Sequence, residues 1–210
     1  PDYVIVVMSG HFTQRGEATI VDKWARTAMA LHSGVDLVLE LPVIYACQTA
    51  ELFAYGGVQL LNYTGIVTHI SFGSETTRLD VLDAIASILA TEPDEYKKQL
   101  KYHLGNGLSF PQARLRALSD YIANNKSLFP CTPEELNNII TGSNTILAIE
   151  YLKAIKKTNS SIKPIVIERV GSSYNEQELK GKFSSATAIR NQLLTTKSIK
   201  ELEKALPPHS

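Results

Sequence analysis

Short β-branched runs alternate with helix-length segments along the first third of the chain, and this alternation limits the possible folds more than any other feature. Tyr3 to Met8 is a compact apolar run that predicts a fully buried parallel strand. After a polar loop from Ser9 to Gly16, Asp22 to Ser33 reads as a helix, with Asp22 placed to cap it and Gly34 to end it. Asp36 to Leu41 predicts a second strand stopped by Pro42, Thr49 to Asn62 a second helix despite Gly56 and Gly57, and Thr68 to Phe72 a third strand. Strand, helix, strand, helix and strand with short links predict an open parallel α/β sheet with helices on its faces. In such sheets ligands bind beyond the carboxyl ends of the strands, where Ser9-Gly10 and Gly73-Ser74 fall.

The middle of the chain changes character. Leu79 to Ala90, Asp94 to Leu104, Phe110 to Asn124 and Pro133 to Thr141 all read as helices, a helical insertion over residues 79–142. Residues 1–78 form the first part of the expected α/β domain. Residues 143–195 form its remainder, with a helix at Asn144–Lys157, a strand at Lys163–Val170 and a helix from Ser184. Residues 196–210 start a further region with a short helix at Ile199–Ala205.

Charge is balanced overall and polarised along the chain. Up to Glu95 there are 4 Lys and Arg against 12 Asp and Glu, and from Tyr96 onward 17 against 9. A basic half attracts polyanions through counterion release, although lysines also serve simply to solvate helix faces. Lys97, Lys98, Lys101, Arg114 and Arg116 occupy exposed-looking positions of the insertion and are the candidates for such contacts. No run approaches the roughly 18 apolar residues of a membrane span, and no secretory leader is recognisable. Cys47 and Cys131 stand apart in no ligand-like pattern and are expected as free thiols in a reducing cytoplasm, with no metal site.

Several stretches have the residue types for phosphate chemistry. Phe183-Ser184-Ser185-Ala186-Thr187-Ala188-Ile189-Arg190 places hydroxyls at a helix start, where they and the free N–H groups can bind phosphate oxygens, and sets Arg190 within reach of a polyphosphate. An ordinary N-cap with a surface arginine fits the same residues. Gln14 and Arg15 lie in a glycine-closed loop beyond a strand. Either they face a ligand there as preorganised donors, or Arg15 pairs with Glu17 or Asp22. Lys23 is a phosphate ligand or a solvated helix residue. Gly73 marks a close approach to a nucleotide or a turn, and Asn144 binds an adenine edge or ribose hydroxyl or caps its helix. His69 is expected in the core, Trp24 as a packing anchor with base stacking as the alternative, and His11 outside the chemistry.

Ser185 to Arg190 is similar to the I-S-S-T-x-I-R signature of the nucleotidyltransferase superfamily, with Ala186 where many members carry serine. Met8-Ser9-Gly10-His11-Phe12-Thr13-Gln14-Arg15-Gly16-Glu17, then Lys23-Trp24, then Val35-Asp36-Leu37-Val38 and Glu40-Leu41-Pro42 resemble blocks of the tRNA(Met) cytidine acetate ligases. Phe72-Gly73-Ser74-Glu75, Asn144 with Ile146 and Glu150-Tyr151-Leu152, and Arg169-Val170 with Tyr174 extend the resemblance over nearly the whole chain.

The resemblance implies a Rossmann-like nucleotidyltransferase fold with a helical insertion. It also implies an enzyme that joins acetate and ATP, with Mg2+, into acetyl-adenylate and acetylates the wobble cytidine of elongator tRNA(Met). Ser185, Thr187 and Arg190 would take the triphosphate, and Gly73, Asn144, Arg169 and Val170 the adenosine. Gln14, Arg15 and Lys23 would act at the reacting groups. The family's H-x-G-H loop would precede Tyr3 and a further portion would follow Ser210, so a chain limited to these residues is expected to be a fragment without normal turnover, with dimerisation as one way of covering an open sheet edge. Two rivals share parts of the pattern. One is an adenylyl transferase of a small-molecule cofactor pathway, which leaves the Gln14-Arg15-Gly16-Glu17 block unexplained, and the other is a non-enzymatic nucleotide- or RNA-binding module.

Overall fold

The computed structural model describes residues 1–126, 129–140, 142–169, 185–196 and 206. The described chain divides into two compact units, one containing Pro1–Gln48 with the described residues beyond 184, the other Thr49–Arg169.

The first unit is built on a β-α-β turn of chain. Strand β1 (Ile5–Ser9) runs parallel to β2 (Leu37–Leu41), Ile5 opposite Leu37 and Ser9 opposite Leu41. Between them lies α1 (Lys23–His32), capped as expected by Asp22, whose carboxylate accepts from Ala25 N at 2.9 Å. β1 is half-buried rather than fully buried, because its one strand neighbour among the described residues is β2. A four-residue helix α2 (Val43–Ala46) follows Pro42, whose fixed φ of −53° starts a helix as readily as it stops a strand. Helix α9 (Ala186–Thr196) also belongs to this unit.

The second unit is mainly helical. α3 (Ala50–Thr64) is capped by Thr49 and closed by Gly65, which sits in the left-handed region at φ 70°. β3 (His69–Ser74) pairs in parallel with β4 (Lys163–Glu168), Gly73 opposite Ile167. Between these strands come α4 (Leu79–Thr91), α5 (Asp94–Gly105), α6 (Phe110–Asn124), α7 (Pro133–Ile140) and α8 (Ser143–Lys157), within a residue or so of the ranges read from periodicity. α8 is the central helix. It packs on α3, α4, α7 and β3 and buries Thr145, Ala148, Ile149, Glu150, Leu152, Lys153, Ala154 and Ile155. Val58, Val81, Leu82, Ile85, Leu118, Ile122, Leu136 and Leu152 make the core. Gly56 and Gly57 are buried, and Gly57 lies against Tyr151, so the helix tolerates them where α3 meets α8.

Two packing expectations are corrected. β3 alternates strictly, with Ile70, Phe72 and Ser74 inside, so His69 falls on the outer face and is exposed. Trp24 is 73% exposed and is no packing anchor; α1 has no buried residue, and the Lys23 ammonium lies 5.2 Å from the indole centroid. Both cysteines are free thiols, Cys131 buried and Cys47 half-buried. Among the described residues no helix is long and apolar enough to cross a membrane.

Candidate functional site

In the first unit the chain leaves β1 at Ser9 and turns back on itself. Phe12 bridges Ala18 in antiparallel fashion, Thr13 N donates to Glu17 O at 2.9 Å, and Gly16 N donates to Thr13 O at 2.9 Å. The tip is therefore Gln14-Arg15-Gly16, a hairpin loop whose last residue must take positive φ. Gly16 has φ +76°, so the glycine is required by the turn that presents Gln14 and Arg15.

Three side chains hold this hairpin and its approach. Arg26, which the motif reading passed over, donates to the carbonyls of Ser9 (3.1 Å), Gly10 and Val21 (3.2 Å), so its guanidinium fixes both ends of the loop. Lys23 pairs with Glu40 at 2.7 Å, and the Glu40 carboxylate lies so close to Gly10 that a Cβ there would collide with it. Arg190 reaches from α9 to the returning arm of the hairpin. It donates to Ala18 O at 3.2 Å, with Glu17 Oε2 at 3.9 Å. Ser185 is buried, and its hydroxyl accepts from Ala188 N at 3.0 Å, the N-cap arrangement weighed above. Thr187 is half-buried one turn before Arg190. Gln14, Arg15, Lys23, Ser185, Thr187 and Arg190 thus belong to one unit, and the hairpin and α9 bring Arg190 to the loop that carries Gln14 and Arg15.

The second unit gathers Gly73, Asn144 and Arg169. Arg169 N donates to Ser74 O at 2.9 Å, extending the β3–β4 pairing by one residue beyond β4 and leaving the Arg169 side chain exposed. Gly73 is exposed, and a Cβ on it would meet nothing nearer than Ile167 O at 4.0 Å, so the described fold itself has room for a side chain there. Glu75 connects this strand end to α8. Its Oε1 accepts from Asn144 N (3.1 Å) and Asn144 Nδ2 (2.8 Å), and its Oε2 from Thr145 N (2.6 Å) and Thr145 Oγ1 (2.7 Å). Ser74 and Thr145, both buried, share a hydroxyl–hydroxyl bond of 3.0 Å beside it. Helix α8 has Gly142 at its N-cap and no side-chain cap of its own, so Glu75 takes over that task from 69 residues away. A Cβ on Gly142 would collide with the carboxylate. Asn144 therefore does not cap its own helix; its amide is held by Glu75. Val170 lies outside the described residues.

Burial pushes the Glu75 carboxyl up, but hydrogen bonds from Asn144 and Thr145 outweigh it and hold the group down at about 2 against an ordinary 4.5. With the folded pKa depressed, the stabilisation is complete above about pH 4.5 and is lost as pH falls through about 2. The urea midpoint of the wild type should therefore fall towards that of Glu75→Gln on acidification through this window. A constant gap between the two proteins would show that the carboxylate is not the titrating group.

The basic residues of the insertion separate into two kinds. Lys97, Lys98 and Lys101 on α5 and Arg116 on α6 are exposed, Lys97 lying 3.3 Å from Asp94. Arg114 is not exposed as expected. Its guanidinium turns inward to Glu150, which is 2% exposed, at 2.6 Å.

A model of the HIGH nucleotidyl transferase family matches residues 1–210. The chain belongs to that family. Among curated relatives, a tRNA(Met) cytidine acetate ligase of Thermoanaerobacter sp. (strain X514) is 53% identical over 206 residues, 98% of this chain and 49% of the relative. A protein of the same name from Clostridium novyi (strain NT) is 47% identical over 206 residues, 98% of this chain and 50% of that one. The solved structure of Thermotoga maritima TmcAL in an apo form has a TM-score of 0.94 and 45% identity over 100% of this chain and 48% of that one. The same protein bound with alpha-thio ATP has a TM-score of 0.89 and 44% identity over 100% and 47%. The fold is thus the α/β nucleotidyltransferase-like one expected for the HIGH nucleotidyl transferases, and the chain spans about half the length of the curated relatives it matches.

Gln14, Arg15, Gly73 and Asn144 stand out as motif residues, whereas Arg26 and Glu75, whose side chains hold the loop and the helix start that carry them, and Glu40, which pairs with Lys23, do not. Glu75 and Glu40 stand inside the motif blocks without a role of their own. Arg26 carried no sequence signal, being one arginine in an exposed helix.

Proposed function

We propose that the whole protein is an ATP-dependent tRNA(Met) cytidine acetate ligase, which activates acetate as acetyl-adenylate with release of pyrophosphate and transfers the acetyl group to the exocyclic amine of a tRNA cytidine with release of AMP. The supporting observation is 53% identity over 98% of this chain to a relative of that name. The geometry agrees chemically. A guanidinium, a hydroxyl-bearing helix start and the donor-rich Gln14-Arg15 tip, all in one unit, are what a polyphosphate and a forming adenylate call for. Ser185, Thr187 and Arg190 take the triphosphate, Gly73, Asn144, Arg169 and Val170 the adenosine, and Gln14, Arg15 and Lys23 the reacting groups. Mg2+, where bound, would be held chiefly by the polyphosphate oxygens and would offset their charge, as a hard cation that keeps much of its water shell does. Lys97, Lys98, Lys101 and Arg116 contact tRNA phosphates, which position an RNA without reading it. Arg114 is left out of that set because Glu150 holds it. The protein works in the cytoplasm, where its substrates are.

Incubating the full-length protein with ATP, labelled acetate and elongator tRNA(Met) tests the proposal. Label is expected in the tRNA, dependent on ATP. Nucleotide transfer to a small phosphate ester with no label in tRNA would favour an adenylyl transferase of cofactor synthesis instead.

A further inference from the structure

We propose that Glu75 is a positioning residue that fixes Asn144 with its side-chain carbonyl turned outward, so that this end of the nucleotide site is built to receive a hydrogen-bond donor. The inference rests on the reading of Asn144 as a nucleotide ligand and adds to it the residue that orients it and the polarity of the contact.

An ionised carboxylate accepts hydrogen bonds and cannot donate them, so the Asn144 group facing Glu75 has to be the amide NH2. The alternative flip would set carbonyl oxygen against carboxylate oxygen. The 2.8 Å contact from Asn144 Nδ2 to Glu75 Oε1 is thus fixed by chemistry, and it turns Asn144 Oδ1 away from Glu75. The carboxylate is itself held by three further donors, Asn144 N, Thr145 N and Thr145 Oγ1, at 2.6–3.1 Å. Thr145 is buried and bonded to the buried Ser74 hydroxyl, whose neighbour Gly73 lies at the strand end joined to Arg169. The depressed Glu75 pKa keeps the group ionised throughout the physiological range. Gly142 has no side chain where a Cβ would strike the carboxylate, so the α8 start leaves room for this interaction.

An outward carbonyl matches the exocyclic amine of adenine or a ribose hydroxyl, both donors. A purine that offers a carbonyl at the same edge would meet oxygen with oxygen and be rejected. Buried or half-buried polar groups built to bond a donor discriminate strongly against analogues that lack it.

Titration calorimetry on the full-length protein distinguishes the outcomes. The probes are ATP, purine riboside triphosphate (no exocyclic amine), 2′-deoxy-ATP and 3′-deoxy-ATP, each against wild type, Glu75→Gln, Asn144→Ala and the double variant. In the wild type one of the three analogues should bind about tenfold more weakly than ATP, identifying the donor as base amine or ribose hydroxyl. That penalty should vanish in Asn144→Ala and shrink in Glu75→Gln, and Glu75→Gln should add little to Asn144→Ala. A residue that merely caps α8 would weaken all four nucleotides alike and additively. The same analogue penalty persisting in Asn144→Ala, no penalty from any analogue, or full additivity of the two substitutions would each overturn the inference while ATP still binds. Should Glu75→Gln fail to fold, the comparison of wild type with Asn144→Ala still decides the polarity. No binding of ATP to the wild type overturns the nucleotide reading itself, and this inference with it.

Discussion

Replacing Arg114 with alanine is expected to lower the melting temperature of this chain by roughly 6–12 °C. Glu150 is 2% exposed; Arg114 Nη2 lies 2.6 Å from its Oε1, while Oε2 stands 3.4 Å from Lys153 Nζ and makes no hydrogen bond among the described residues. Lys153 is shared, since Glu51 holds it at 2.8 Å. Loss of Arg114 leaves a buried carboxylate with half of one ammonium, and removing one partner of a buried pair costs about 3 kcal/mol or more, or about 2–4 °C per kcal/mol at this chain length. The double variant Arg114→Met/Glu150→Gln should recover much of the loss, because the charge left stranded is removed along with its partner. Arg78→Ala breaks an ion pair too, with Asp80, but both side chains are about half exposed and the melting temperature should scarcely move. Thermal denaturation without RNA checks all three, and an unchanged melt for Arg114→Ala would return that residue to the surface set.

How much of this could be read before the fold was known depends on the range of each interaction. Helix and strand positions came through because they follow from neighbours a few residues apart: Asp22 as a cap, Thr49–Asn62 as a helix, and Phe110–Asn124 from its apolar spacing. α2 was missed because four residues after a proline carry no period. His69 was misplaced by one register step; the apolar set of β3 begins at Ile70, and a two-residue repeat then sends His69 outward. Trp24 was misjudged because size suggests burial, whereas α1 buries none of its residues. The candidate ligands were legible as motif residues, but their supports were not. Glu75 meets Asn144 across 69 residues, and Arg114 meets Glu150 across 36, separations over which no periodicity speaks. Composition correctly marked Arg114 as basic but could not say that its charge is consumed inside.

Arg190→Ala should raise the KM for ATP of the full-length protein by roughly 10–100-fold and leave the melting temperature almost unchanged, the largest functional effect expected from a residue of α9. Among the described residues the guanidinium meets one carbonyl, Ala18 O, at 3.2 Å and Glu17 Oε2 at 3.9 Å, with the side chain 31% exposed. An exposed hydrogen bond and a long ion pair contribute little to stability. A guanidinium fork on phosphate oxygens, by contrast, is among the stronger charge-assisted contacts, about 1.5–3 kcal/mol. Arg190→Lys keeps the charge without the fork and should fall between wild type and alanine. Ser185→Ala provides the contrast, because its buried hydroxyl caps Ala188 N; that change should cost about 1 kcal/mol of stability as well as any loss of binding. If Arg190→Ala kept its KM and turnover while the protein melted earlier, the arginine would be a clasp between α9 and the hairpin. The polyphosphate would then have to be held by other groups.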